Sequence, residues 1–118
     1  MKGSILEDTK RYCNLPPKEE TPFDPDIVIH INTTFALLNR AAGIGPEKGY
    51  RIEDSKNTWE EFTDDTIILG MVKDYILVSA RLTFDPPANA TIIESMRKTI
   101  DKLEFHLGVK AEEVTADE

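Results

Sequence analysis

The chain has little of what catalysis or export usually requires. Its single cysteine, Cys13, excludes an internal disulfide and cannot by itself make a zinc site, which points to a reducing compartment. Its two histidines, His30 and His106, have no metal-ligand partner at i+3 or i+4. Basic residues are few, 14 against 22 acidic, for a net charge of -8. Binding to nucleic acid by phosphate neutralisation needs a segregated Lys/Arg face, and the one basic cluster, Arg97, Lys98 and Lys102, is interleaved with Glu94, Asp101 and Glu104. That interleaving is the pattern of a solvated helix face. No apolar run approaches a membrane span, and the opening "MKGSILEDTKRY" lacks the apolar core of a signal peptide. Neither membrane insertion nor export is expected, so the N-x-T sequons at Asn32 and Asn89 read as chance.

What is present is the material of one small domain: 118 residues, 40% hydrophobic and 31% charged. Ser4 and Glu7 make a capping box ahead of a short helix over 4–14, which Pro16 and Pro17 stop. After the charged, proline-rich connection "LPPKEETPFD", Asp24 reads as an N-cap with Pro25 in the first helical position. Ile27, Ile31, Phe35 and Leu38 then form a helical stripe, widened by Val28 and Leu37, that ends in "AAGIGP". The stretch 43–57 is turn-rich, with "YRIED" as one short extended piece. Thr58 and Glu61 repeat the capping-box spacing around Trp59 and Phe62, predicting a helical turn that drops two aromatics onto the core.

Asp64 or Asp65 caps the next helix, "TIILGMVKDYILVSARLTF", whose apolar residues nearly surround it and place it centrally. The "DPP" of Asp85, Pro86 and Pro87 ends it. A last helix from about Asn89 carries the clearest stripe, Ile92, Met96, Ile100, Leu103 and Leu107, and ends at Gly108. The expected fold is all-α: a small single-domain bundle of four main helices plus a short helical turn, with a loop or short extended segment in the middle. Residues 1–108 form the helical domain, and 109–118 form a polar, acidic, flexible tail.

No constellation for chemistry emerges. His30 and Cys13 would need folding to bring them together as a base and nucleophile, and Cys13 beside Tyr12 reads as a buried, apolar-like residue. "GIGPEKG" lacks the Lys-Ser/Thr pair of a phosphate loop and reads as a helix cap and turn. The paired acids Glu60-Glu61 and Asp64-Asp65 sit at helix starts, where they favour the helix dipole. No catalytic residue, metal ligand or cofactor is assigned. Asn32, Thr33 and Asn39 fall on the side of their helix away from the apolar stripe, suited to solvent or an interface rim, while His30 and Thr34 flank the stripe.

The order of motifs is more distinctive than any one of them: "FDPDIVIHIN" at the start of the second helix, the W-x-x-F turn of Trp59 and Phe62, and "RLTFDPP" before the last helix. Over nearly its whole length the chain resembles the small head-tail connector proteins of tailed bacteriophages and prophages, also called adaptor or head-completion proteins. The resemblance implies a structural virion protein at the head-tail junction, assembled in the host cytoplasm. It further implies an all-helical subunit that joins a ring of about twelve beneath the portal after DNA packaging. Implied partners are other copies of itself, the portal protein and a tail-side completion or stopper protein, with DNA passing through the channel without sequence-specific binding. Interface candidates are the turn of Phe84, Asp85, Pro86 and Pro87, a rigid element that inserts at low entropic cost, together with Asn32 and Asn39. The competing reading is a small acidic regulatory or inhibitor protein that binds a basic partner; an enzyme ranks third.

Overall fold

The computed structural model describes residues 3–109, and over them the chain is all-α. Helices α1 (Ile5–Tyr12), α2 (Asp24–Ala42), α3 (Thr66–Phe84) and α4 (Ala90–Leu107) are joined by a 3-10 turn at Trp59–Glu61. Among the described residues there is no strand; the only ladder contact is an isolated antiparallel bridge between Ser4 and Thr58. That bridge pins the start of α1 to the 3-10 turn.

Local chemistry sets most of the boundaries. The Ser4 hydroxyl accepts from the Glu7 amide at 3.2 Å, Asp65 accepts from the Ile67 and Ile68 amides, and Asn89 accepts from those of Thr91 and Ile92. Each cap satisfies helix-start donors that would otherwise lack partners. At the other ends α2 and α4 stop on Gly43 and Gly108, both in the left-handed region. α3 stops at Asp85, because Pro86 disfavours a helical conformation in the residue before it.

Three boundaries differ from expectation. α1 ends at Tyr12 rather than 14, with Asn14 at φ 62 turning the chain out of the helix. Asp24 is not the N-cap of α2: Phe23 takes that position and makes no side-chain cap bond, while the Asp24 carboxylate faces Lys10 and Thr21. The reason is electrostatic, since Lys10 is a buried cation that needs an anion more than the helix needs a cap. Val109, placed in the tail by the sequence reading, is buried in the core; the rest of that segment, 110–118, lies outside the described residues.

The α2 stripe is the centre of the core. Ile27, Ile31, Phe35 and Leu38 are all fully buried, beside Ile5, Val72 and Ile76. Phe35 stacks obliquely on Phe62, with centroids 4.4 Å apart, and meets the edge of Tyr50 at 5.2 Å. Truncating a ring so placed typically costs about 3–5 kcal/mol. α3 is the central helix, in contact with α1, α2, α4 and the 3-10 turn. α4 rests chiefly on α3 alone, so the clearest apolar stripe of the sequence is the least covered. Only Leu107 of that stripe is buried, and Ile92 is half exposed.

Candidate functional site

Three polar residues of α2, Asn32, Thr34 and Asn39, are used inside the chain. The Asn32 amide clasps the backbone of Ile52, donating to its carbonyl at 3.1 Å and accepting its N–H at 2.7 Å. Asn32 is therefore buried, contrary to its expected outward position. The loop carrying residues 50–57 folds over that side of α2, which a helical projection of the sequence cannot show. "YRIED" is held by this clasp and by the Asn57 side chain, which accepts from the Glu53 amide, and it pairs with no strand. Asn39 donates to the Ile44 and Pro46 carbonyls and shapes the turn after α2. Thr34 donates to the His30 carbonyl, and Thr33 is exposed.

His30 meets Ser79 of α3, with its Nε2 2.9 Å from the hydroxyl, and its ring stands edge-on to Phe84. Burial holds its pKa below the ordinary histidine value. Cys13 is also buried, and burial, reinforced by the Asp85 carboxylate and only partly offset by Arg81, pushes its thiol up to about 11. No hydrogen bond joins the two, and a thiol so raised is a poor nucleophile. Among the described residues no three His, Cys, Asp or Glu side chains converge as a metal site.

The "FDPP" turn is tied down at its first half. Phe84 packs against His30, and Asp85 accepts from the Asn14 amide at 2.7 Å and lies beside Arg81. Pro86 is exposed and Pro87 half-buried. Arg97, Lys98 and Lys102 are exposed, as a solvated helix face requires, and His106 is exposed at the α4 terminus.

Two networks had weak signals in the sequence. Asp8 accepts from the Trp59 indole at 2.8 Å, pairs with Arg11 and lies 3.6 Å from Lys73. Glu61 accepts from the Tyr50 hydroxyl, the Asn57 amide and the Thr58 backbone, which closes the predicted capping box and fastens the central loop. Burial first, then the hydrogen bond and charge of Glu61, hold the Tyr50 phenol in its protonated form well above its usual range.

What remains for function is surface. An open groove of about 720 Å³ runs between α1, the proline-rich connection, the start of α2 and the 53–55 turn. α4 leaves Ile92 of its apolar stripe half exposed and, on its other side, Phe105 largely exposed. No helix among the described residues is long and apolar enough to cross a membrane.

The sequence model of a family described as "Phage connector protein" matches residues 5–114, nearly all of the chain. No curated protein and no solved structure matches it.

Proposed function

From the premise that this chain belongs to the phage connector protein family, we propose that it assembles as a ring beneath the portal after DNA packaging. The ring extends the DNA channel and joins head to tail. The coarser role follows from membership itself: the family is structural rather than enzymatic, and its members are virion-associated connectors.

The observation that carries the ring is the uncovered face of α4. A helix whose apolar stripe leaves Ile92 half exposed, and whose opposite side exposes Phe105, keeps area for neighbours. A closed cyclic assembly reuses one such contact in every subunit, and matching a portal ring sets the number at about twelve. The portal protein then lies on one side and a tail-side completion or stopper protein on the other, with the exposed Pro86 at the "FDPP" turn as a docking element. The net charge of -8 suits a channel that repels phosphates and lets DNA pass without sequence-specific binding. An assembled channel lined mainly by Lys and Arg would overturn that part.

The test is electron microscopy of particles from a phage lacking this gene, with a complemented control. DNA-containing or leaking heads lying apart from finished tails are the expected result. Normally joined, infectious virions would overturn the joining role and favour a small acidic protein that binds a basic partner.

A further inference from the structure

Two surfaces of the subunit complement each other, yet they lie on different elements. The floor of the groove is apolar, built from Leu6, Pro17, Pro25, Val28 and Ile29. Ile29 stays 63% exposed there, although Ile27 and Ile31 on the same helix are fully buried. The rim is acidic, with Glu7, Glu19, Glu20, Asp24, Glu53 and Asp54 set against Lys10 and Lys18. Both lysines are already paired, Lys10 with Asp24 and Lys18 with Glu7. Glu19, Glu20 and Glu53 therefore face the groove without a cation among the described residues.

The second surface is the outer side of α4. At 3.6 residues per turn Ser95, Lys98, Lys102 and Phe105 share one face, opposite the Met96, Ile100, Leu103 and Leu107 side. All four are exposed, Phe105 by 65%, and neither lysine forms an ion pair among the described residues. Glu94 and Asp101 stand to one side of the strip. From Lys98 to Phe105 the strip is about 10 Å long. Two ammonium groups and a phenyl ring on successive turns match a groove with an acidic rim and an apolar floor.

The occupant follows from charge. The segment 110–118 carries four acids against one lysine and would be repelled. The α4 strip cannot reach the groove of its own subunit, because α4 rests chiefly on α3 while the groove is built from α1, the connection and the start of α2. Resting on the ring reading above, we infer that the Lys98, Lys102 and Phe105 strip of one copy seats in the Glu19, Glu20 and Glu53 groove of the next. The contact is head-to-tail, which is the kind that closes rings.

The test is sedimentation of the full chain over a range of concentrations, with two surface variants checked for unchanged helical signal. One is Lys98→Glu with Lys102→Glu; the other is Glu19→Lys with Glu20→Lys and Glu53→Lys. Each variant alone places like charges across the contact and should self-associate at least about a hundredfold more weakly than the wild type. An equimolar mixture should assemble again, because alternating subunits restore opposite charges at every contact. Wild-type-like assembly by either variant alone, or a mixture that stays dissociated, would overturn this contact and leave the ring reading standing. A wild type that stays monomeric throughout, and also when mixed with portal-bearing heads, would overturn the ring reading and this contact with it.

Discussion

Asn32 holds Ile52 by both edges of its amide, with the N–H of Ile52 2.7 Å from Oδ1 and its carbonyl 3.1 Å from Nδ2. One side chain thus replaces a strand partner for the loop that covers α2. Asn32→Leu keeps the volume but strands two buried backbone groups. Denaturant unfolding should show a loss of about 2–6 kcal/mol, since each of the two unsatisfied groups costs about 1–3 kcal/mol. Asn32→Asp should retain the acceptor half and still lose stability, through the missing donor and a buried charge.

Gly45 and Gly49 separate backbone strain from crowding. Both have positive φ, 98 and 89 degrees, but only at Gly45 would an added Cβ run into the Phe62 ring; at Gly49 it would meet nothing. Gly49→Ala should cost about 1–2 kcal/mol for the left-handed conformation alone. Gly45→Ala should cost about 1–3 kcal/mol more, because Phe62 is buried and cannot swing away. Equal losses at the two positions would show that the ring yields.

The Lys10–Asp24 pair should respond unequally to removal of its two halves. The Lys10 side chain is 3% exposed and that of Asp24 21%. Asp24→Ala leaves a buried ammonium with only the Glu19 carbonyl and should cost about 3–5 kcal/mol. Lys10→Met leaves a carboxylate that reaches water and still accepts from Thr21, so the loss should be smaller. The double variant Lys10→Met, Asp24→Asn should be closer to wild type than Asp24→Ala, as a double-mutant cycle would measure.

Acid should act on this fold through two groups. His30 is held below the ordinary histidine value of 6.5 by burial, so the folded state prefers the neutral ring. Below pH 6.5 the unfolded chain binds a proton that the folded chain resists, and stability falls with pH until the folded pKa is passed. His30→Gln should flatten that step in pH-dependent melting. For Asp24, burial works against ionisation, but hydrogen bonds from Thr21 and Lys10 and the Lys10 charge prevail and lower its pKa below 3.8. Its contribution is present above that value and is lost only at lower pH.

How much was legible depended on whether a residue's role was local. The caps at Ser4, Asp65 and Asn89, the stops at Gly43 and Gly108, and the turn at Trp59 and Phe62 are governed by neighbours within four residues, and the sequence shows them. The core face of α2 was equally readable from its period. Hidden were the roles set by chain segments far apart: Asn32 with Ile52, Asp8 with Trp59, Lys10 with Asp24. Lys10 gave no sign of burial, since a lysine in a short polar helix ordinarily reaches water. The α4 stripe taught the converse, because periodicity identifies an apolar face but not whether its partner lies in the same chain.

With its pKa pushed to about 11, the thiol of Cys13 is ionised in only about one molecule per thousand or fewer at neutral pH, and it is sealed in the interior besides. Maleimide and thiosulfonate reagents will therefore pass over it. Any cysteine introduced on the surface becomes the sole reactive one without removal of the native residue, so spin labels or fluorophores can be placed one position at a time across α4 and the groove.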